Sequence, residues 1–320
     1  MCTAIKYKNN FYGRNLDLEY ELPWTKVIIM PKNYLLKFKS NNENIDIKYS
    51  LIGMGMIANE YPLFYDAMNE KGMFMAGLYF NGYAKYFEKQ NDKNNVTPFE
   101  FIPYILGSCS SVDEAKKILQ NVNIVDIPFS KEIPLTPLHW IICDDKQCIV
   151  VESTSDGLQI YDNPYKTLTN NPRFNFHLEN MNNYVNISPD SRTNLFDSNI
   201  KIISNGAGTI GLPGSLTSQD RFVRAAFTNS VSTSNNNDED ISQFFHILDS
   251  VAQTRGTVHA HENKNELTVY SDCYDFNNKT LYYKTYSNNR LTAISLNNSY
   301  DKNKLTSYDL ELKQDIKWVK

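Results

Sequence analysis

The second residue of the chain is a cysteine, which directly follows the initiator methionine in MCTAIKYKN. A small residue at position two permits removal of the methionine, and this removal would leave a thiol and a free α-amine on Cys2. Because the pKa of an α-amine is ordinarily about 7.7–8.0, part of it is neutral near neutral pH and can accept the proton of the thiol. Such a residue is an N-terminal nucleophile that carries its own base. The alternative is an incidental cysteine, and its position alone leaves both interpretations open.

Two charged residues follow Cys2 at close range, in the segment FYGRNLD. If TAIKYK and FYGRN form a β-hairpin, the second strand runs back past Cys2. Arg14 would then lie close enough to favour the thiolate, and Asp17 close enough to accept a hydrogen bond from the α-amine. An arginine and an aspartate three residues apart are also common on solvated surfaces, so their spacing does not decide between the two interpretations.

The histidines offer no comparable site. His139, beside Trp140 in an apolar strand, and His246, within FFHIL, are interpreted as core residues. His259 and His261 form an isolated H-x-H in a charged segment without a matching carboxylate motif, which disfavours a metal site. No metal ligand set is therefore expected.

The remaining cysteines are Cys109, Cys143, Cys148 and Cys273, which with Cys2 give an odd number of 5. An odd and scattered set argues against a disulfide framework. Cys143 and Cys148 flank DDKQ, which predicts a hairpin turn that brings the two thiols opposite each other. Their spacing does not match a common zinc site, and we interpret them as free thiols.

The elements that must position Cys2 alternate between groups of strands and pairs of helices. Short runs rich in aromatic and β-branched residues, separated by Asn, Gly and Pro, predict strands at the beginning, middle and end of the chain. Capping signals predict helices that begin after Thr97 and after Ser111. Two more helices are predicted over SQDRFVRAAFTNSV and ISQFFHILDSVAQTRG, and a loop is predicted at NNNDED before the second of these. Such segregated runs predict an α+β layer structure rather than alternating βαβ units.

Composition limits the classes of function. The chain has 320 residues, of which 41% are hydrophobic and 21% charged, with a net charge of -4. No basic run with interleaved aromatics is present, so we expect no nucleic-acid partner. No window approaches the roughly 18 apolar residues of a membrane span, and the N-terminus is polar, so we expect no membrane segment and a cytoplasmic location.

Motifs along nearly the whole chain resemble the choloylglycine hydrolase family, the bile salt hydrolases and penicillin V acylases among the N-terminal nucleophile hydrolases. In chain order these motifs are MCT, GRNLDLEY, YPLFYDAMNEKGMFMAGLYF, NIVDIPFSKEIPLTPLHW, LTNNP, GLPGSLTSQDRFVRAAF and FFHILDSVAQTRG. The resemblance implies an α+β fold of four layers (αββα) in a single domain over residues 1–320. It also implies hydrolysis of a linear amide without metal or cofactor. Members are commonly homotetramers that use an extended arm, and residues 183–215 are the candidate here.

Five polar residues match the family's catalytic positions, namely Cys2, Arg14, Asp17, Asn170 and Arg221. The resemblance implies that the Cys2 thiol attacks the amide carbonyl, while its α-amine takes the proton and later delivers it to the leaving amine. Arg14 and Asp17 would hold the nucleophile and its amine. The side-chain amide of Asn170 would donate to the oxyanion, and Arg221 would support the site.

Tyr79 departs from the pattern, because bile salt hydrolases usually have asparagine there, whereas penicillin V acylases often have tyrosine. Its backbone N–H can still complete an oxyanion hole, since every residue except proline supplies one. A phenol, however, cannot donate and accept hydrogen bonds in the pattern of an amide. The departure therefore affects the expected substrate and not the reaction.

Three functions remain open from the sequence. The first is hydrolysis of glycine- or taurine-conjugated bile salts, and the second is the same chemistry on penicillin V or N-acyl homoserine lactones, motivated by Tyr79. The third is a non-catalytic member of the fold, against which the matched polar residues argue. A steroid needs a large apolar pocket, for which Met30, Ile57, Phe64 and Phe80 are candidates, although each is also typical of a core.

Overall fold

A computed structural model describes residues 1–201, 204–260, 264–297 and 300–319 of the chain. His261 lies outside the described residues, and its sequence neighbour His259 is exposed. Within the described ranges, no group of three or more His, Cys, Asp or Glu side chains is arranged to hold a metal ion. No helix in the same ranges has the length and apolar character needed to cross a membrane.

Cys2 lies at the start of an interior strand of an antiparallel sheet, which has six strands within the described residues. In spatial order these strands are β14 (Thr167–Leu168), β1 (Cys2–Tyr7), β2 (Phe11–Leu18), β15 (Leu267–Asp275), β16 (Thr280–Thr285) and β17 (Asn288–Ser295). The predicted hairpin of β1 and β2 is confirmed, with Cys2 opposite Leu16 and Tyr7 opposite Phe11.

A second antiparallel sheet faces the first and has eight strands in the described ranges. In spatial order they are β13 (Gly157–Asp162), β12 (Cys148–Thr154), β11 (Leu138–Cys143), β8 (Phe74–Tyr79), β7 (Tyr61–Asn69), β6 (Leu51–Ala58), β3 (Lys26–Met30) and β18 (Thr306–Asp309). Two small ribbons pair β4 (Leu35–Lys37) with β5 (Asn44–Asp46), and β9 (Asn94–Val96) with β10 (Val122–Ile124).

The helices begin largely where their capping signals predict. The part of the chain that the structure describes contains α1 (Pro98–Ser108), α2 (Val112–Leu119), α3 (Phe174–Asn180), α4 (Ser218–Val231) and α5 (Asn237–Asp249), with short 3-10 helices at Met181–Tyr184 and Ala207–Thr209. The Glu100 carboxylate accepts the Thr97 N–H at 3.0 Å ahead of α1, and Ser111 accepts the Glu114 N–H at 3.3 Å ahead of α2. These contacts satisfy N–H groups that the first helical turn leaves unpaired.

Apolar cores separate four layers. One core lies between the two sheets, a second between the eight-stranded sheet and helices α1 and α2, and a third between the six-stranded sheet and helices α4 and α5. This order of helix, sheet, sheet and helix confirms the expected α+β fold of four αββα layers. Met30 and Phe64 are buried in the second core, Ile57 packs against it, and Phe80 stacks on His139. Met30, Phe64 and Phe80 are therefore core residues, whereas Ile57 is half-buried.

Two predictions near α5 are wrong. The sequence predicts a loop at NNNDED, but Asn236 accepts the Glu239 N–H at 3.0 Å and caps the helix, which begins at Asn237. Acidic residues in a first turn are favourable at the positive end of the helix. His246 is exposed and not in the core, because Phe245 and Ile247 on either side of it occupy the buried face of the helix.

The interpretation of Cys143 and Cys148 as free thiols is also wrong. The predicted hairpin at DDKQ is present, and its register places the two residues directly opposite each other with a Cα–Cα distance of 4.2 Å. The structure joins them in a disulfide. Cys109 and Cys273 are free and buried, as expected for these two.

Candidate active site

Cys2 is the first residue of β1 and only 3% exposed, so the thiol belongs to an ordered and buried N-terminal segment. Cys2 lies opposite Leu16, and Ala4 lies opposite Arg14. Because side chains alternate along a strand, Cys2 and Arg14 point to the same face of the sheet, while Asp17 points to the other. The hairpin therefore brings Arg14 and Asp17 to Cys2 from opposite faces.

Met1 is present, and its ammonium group has two acceptors. It donates to the backbone carbonyl of Asp17 at 2.7 Å and forms an ion pair with the carboxylate of Glu266. The nitrogen of Cys2 is consequently a peptide N–H, and it donates to Asn170 Oδ1 at 2.8 Å. This contact holds the nitrogen that would become the α-amine of Cys2 once Met1 is removed.

Arg14 is fully buried between the two sheets. Its Nη1 donates to the Gly77 carbonyl on β8 at 2.6 Å and lies 3.9 Å from Asp66 Oδ2. Burial disfavours the charge of Arg14, but the acidic groups of Cys2, Tyr270 and Asp66 outweigh it and raise the pKa of the guanidinium. The effect of Cys2 on Arg14 indicates that the thiol lies within electrostatic range of the guanidinium.

Asp17 is buried on the opposite face of the sheet. Its Oδ1 accepts the Thr268 hydroxyl at 2.6 Å, and its Oδ2 lies 4.0 Å from Arg221 Nη1. Burial raises the pKa of Asp17, and the N-terminal amine, Arg221 and Thr268 counteract part of this rise. The effect of the amine indicates that the Asp17 carboxyl group lies within electrostatic range of the N-terminus.

Arg221, on α4, connects three parts of the site from the helix side of the sheet. Its Nη1 donates to the Cys2 carbonyl and to the Thr3 hydroxyl, each at 2.6 Å, and its Nη2 donates to Asn170 Oδ1 at 2.8 Å. A rigid guanidinium with several donors can hold such a set in one geometry. Arg221 therefore fixes both the Cys2 strand and the side chain of Asn170.

Asn170 follows β14, and both ends of its side-chain amide are used. Because Oδ1 accepts from Cys2 N and from Arg221, the orientation of the amide follows from its contacts. Nδ2 then donates to the Tyr79 carbonyl at 2.8 Å. The Tyr79 side chain, at the end of β8, is 41% exposed, so its carbonyl faces Asn170 while the phenol reaches solvent.

Comparison with known proteins places the chain in a family. A family model described as linear amide C-N hydrolases, choloylglycine hydrolase family, matches residues 2–308. The chain belongs to the choloylglycine hydrolase family. It is 47% identical to a bile salt hydrolase/transferase of Lactiplantibacillus plantarum, over 97% of each chain.

Solved structures of other proteins share the fold of this chain. A mutant conjugated bile acid hydrolase from Clostridium perfringens matches with a TM-score of 0.92 and 38% identity, over 100% of both chains. A penicillin V acylase from Agrobacterium tumefaciens matches with a TM-score of 0.74 and 19% identity, over 97% of this chain and 91% of that one. Family membership makes the chain a hydrolase acting on linear amides, so the interpretation as a non-catalytic fold member is wrong.

Two buried histidines hold the segment that carries Asn170. His139 contacts Glu152 Oε1 at 3.1 Å and the Thr169 carbonyl at 3.0 Å, which confirms its interpretation as a hydrogen-bonded core residue. His177 Nε2 contacts the Asn170 carbonyl at 3.1 Å. Burial lowers the pKa of His177 to about 4, so its imidazole is neutral near pH 7 and Nε2–H is the donor.

Stability is expected to decrease in mild acid because of His177. Its pKa is about 4 in the folded protein, whereas that of an unfolded histidine is about 6.5. Between these two pH values, the histidine is protonated in the unfolded chain but not in the folded protein. The contribution of neutral His177 to the free energy of unfolding is therefore complete above about pH 6.5, and it decreases by up to about 1.4 kcal/mol per pH unit towards pH 4. Chemical denaturation at neutral and acidic pH should show a smaller acid loss in His177→Gln. The exposed His246→Gln is the control, and equal losses in wild type and His177→Gln would contradict the prediction.

Two contacts of the site could not be predicted from the sequence. Glu266 pairs with the Met1 amine, and Asp66 lies near Arg14. Glu266 stands in no motif whose spacing marks a site. Asp66 is the single acidic residue of the apolar segment PLFYDAM. Its position indicates that, if buried, it needs a polar partner, but the sequence does not identify that partner.

Proposed function

We propose that the chain hydrolyses the amide bond of glycine- or taurine-conjugated bile salts, with Cys2 as the nucleophile after removal of Met1. The observation that supports this reaction is the 2.8 Å contact between the Cys2 nitrogen, the proposed base, and Oδ1 of Asn170, the proposed oxyanion donor. The choice of substrate is supported by the 47% identity to a protein named bile salt hydrolase/transferase.

The first step is activation of the thiol by its own residue. Removal of Met1 converts the peptide nitrogen of Cys2 into an α-amine, which takes the thiol proton directly or through one water. The thiolate then attacks the amide carbonyl. The positive charge of Arg14 favours the thiolate, while Asp17 and Asn170 Oδ1 hold the amine.

The second step is stabilisation of the tetrahedral intermediate. Asn170 Nδ2 carries two hydrogens, one of which donates to the Tyr79 carbonyl at 2.8 Å, so the other can donate to the oxyanion. The backbone N–H of Tyr79 is the second proposed donor. Arg221 contributes indirectly, because it fixes Oδ1 and thereby the direction of Nδ2.

The final steps release the products. The C–N bond breaks as the α-ammonium group of Cys2 delivers its proton to the leaving glycine or taurine, and a thioester remains on the sulfur. The α-amine then activates water, which attacks the thioester and frees the bile acid and the thiol. Attack by an amine in place of water would form a new amide, which agrees with the transferase part of the relative's name.

Release of glycine or taurine from glycocholate and taurocholate tests the proposal. We expect both the amine and free cholate to appear in equal amounts, and we expect turnover to continue in the presence of a chelator because no step uses a metal. Absence of amine release from both conjugates would show that the proposed substrate class is wrong.

Tyr79 supports a second candidate, which is the same chemistry on penicillin V or on N-acyl homoserine lactones. Its phenol is 41% exposed next to the proposed oxyanion donors, so it is available to contact the substrate beside the scissile bond. An aromatic ring at this position suits a flat acyl group. A kcat/KM for penicillin V well above that for glycocholate would favour this candidate.

Tyr79→Asn is expected to shift specificity towards conjugated bile salts. The substitution keeps the backbone carbonyl and N–H of the site but exchanges a phenol for an amide, and a change of one pocket contact typically alters discrimination by about 10–200-fold. We expect the ratio of kcat/KM for glycocholate to that for penicillin V to rise by about tenfold. Tyr83→Asn is a matched control, because Tyr83 is 39% exposed. An equal shift in both variants would contradict the specific role of Tyr79.

We further propose a homotetramer built through the arm at residues 183–215, in a single-domain, cytoplasmic protein. Several apolar side chains of the arm are exposed, namely Val185, Leu195, Phe196, Ile200 and Ile210. Such a concentration of exposed apolar groups is typical of an interface. Analytical ultracentrifugation should give four times the mass of one chain for the wild type and a smaller mass for Leu195→Asp/Phe196→Asp, whereas a wild-type monomer would contradict the proposal.

A further inference from the structure

A buried polar cluster beside Arg14 has no role in the reaction proposed above. It consists of Asp66 on β7 and of Tyr270, Asp272 and Tyr274 on β15, and all four residues are 0% exposed. The cluster lies between the two sheets, where Arg14 reaches from β2 to the Gly77 carbonyl on β8. Buried polar groups in such a place need defined partners and a defined charge.

Asp66 has donors at both of its carboxylate oxygens. Oδ2 accepts the Tyr270 hydroxyl at 2.7 Å and lies 3.9 Å from Arg14 Nη1, and Oδ1 accepts the Tyr274 hydroxyl. Both oxygens of the Asp66 carboxyl group thus have a hydroxyl donor, and a guanidinium lies nearby.

Asp272 has a different environment. Its Oδ1 accepts the backbone N–H of Arg14 at 2.7 Å. Its Oδ2 has no donor among the described residues. Because side chains alternate along a strand, Asp272 lies on the same face of β15 as Tyr270 and Tyr274, between the two residues whose hydroxyls donate to Asp66. Burial, followed by the charge of Asp66, raises the pKa of Asp272 well above its usual range.

We propose that Asp66 and Asp272 share one proton, which is held on Asp272 Oδ2 and donated to Asp66, and that the remaining charge on Asp66 positions Arg14. One guanidinium balances one carboxylate, and two adjacent ionised carboxylates in a dry interior repel each other. The other titratable groups that face the pair are Tyr270 and Tyr274, on the same strand as Asp272.

Asp66 and Asp272 are positioning residues, because they act on Cys2 only through Arg14. The inference rests on the role proposed for Arg14 beside the thiol. Arg14 also donates to Gly77, two residues before Tyr79, so it links the strand next to Cys2 to the strand that ends at the oxyanion donors. A change in its counterion should therefore alter kcat more than KM.

Two isosteric substitutions distinguish the two carboxyl groups. In Asp272→Asn, the amide can donate to Asp66 as the proposed O–H does, so we expect kcat to fall less than about threefold. Asp66→Asn removes the charge opposite Arg14. We expect this variant to lower kcat by about 10²-fold, which is the typical effect of misplacing a catalytic group. In both variants KM should change less than kcat. Equal losses in the two variants, or a larger loss in Asp272→Asn, would overturn the assignment.

Infrared spectroscopy measures the shared proton without substrate. The difference spectrum of wild type minus Asp272→Asn at neutral pH should contain the C=O band of a protonated carboxyl group. Asp275→Asn is the control, since Asp275 is a buried carboxylate of the same strand that pairs with Asn237 and Asn278, and it should retain both the band and the wild-type kcat. Absence of the band from this difference spectrum overturns the proposal even if Asp66→Asn does not fold. Presence of the band in a protein inactive on every amide would instead refute the proposed function.

Discussion

Cys2→Ala is expected to abolish amide hydrolysis and leave the fold intact. Loss of the nucleophile in a comparable covalent mechanism lowers kcat by about 10⁶-fold, and none of the other site residues can form the thioester. The backbone contacts of Cys2 with Asn170 and Arg221 do not involve the thiol, so alanine keeps them. Alanine is also small enough for removal of Met1, so the variant isolates the loss of the sulfur atom.

Three measurements make this prediction specific. Cys2→Ser should retain the fold but lose most activity, because a hydroxyl is a far weaker nucleophile than a thiolate at neutral pH. Cys109→Ala is the matched control, since Cys109 is a buried free thiol in the core beneath α1 and α2. Intact mass should show that the active wild type lacks Met1. Full activity in Cys2→Ala, or in a wild type that keeps Met1 and its ion pair with Glu266, would contradict the mechanism.

Local signals in the sequence were sufficient for most of the elements. Thr97 with Glu100, and Ser111 with Glu114, form the predicted caps, because a capping contact depends on residues only three apart. The alternation in TAIKYK predicted the β1–β2 hairpin, because the two strands of a hairpin are also close in the sequence. The prediction of a core position for His246 is wrong because apolar neighbours in the sequence do not show which face of a helix is buried.

Contacts between distant segments determined what the sequence could not predict. Spacing alone left Arg14 and Asp17 as possible surface charges, and only the resemblance to a family pointed to Asn170 and Arg221. Arg221 is separated from Cys2 by more than two hundred positions, so no local pattern connects them. Tyr270 and Tyr274 reach Asp66 only because β7 and β15 belong to sheets that face each other. The four-layer fold therefore had to be known before the second layer of contacts around Arg14 could be identified.

Substitution of Asn170 is expected to give the next largest loss, and Asn170→Asp is the most informative variant. Aspartate keeps oxygen atoms that can accept from the Cys2 nitrogen and from Arg221, which Asn170 Oδ1 contacts at 2.8 Å each. It lacks the Nδ2 donor and places a negative charge where the oxyanion forms. Removal of one oxyanion donor typically costs about 10²–10³ in kcat, and we expect at least this loss.

The pH dependence and a second variant separate the role of the donor from a structural role. The carboxylate of Asn170→Asp should also stabilise the α-ammonium of Cys2 and raise its pKa, so the residual activity should increase at alkaline pH more than in the wild type. Asn170→Ala should lose the same donor without this shift, and it should be less stable because Arg221 loses an acceptor. Asn163→Asp is the control, since Asn163 is a buried asparagine that donates to the Thr167 carbonyl at 2.9 Å. Wild-type kcat in Asn170→Asp would exclude Nδ2 as the oxyanion donor and leave that role to backbone N–H groups.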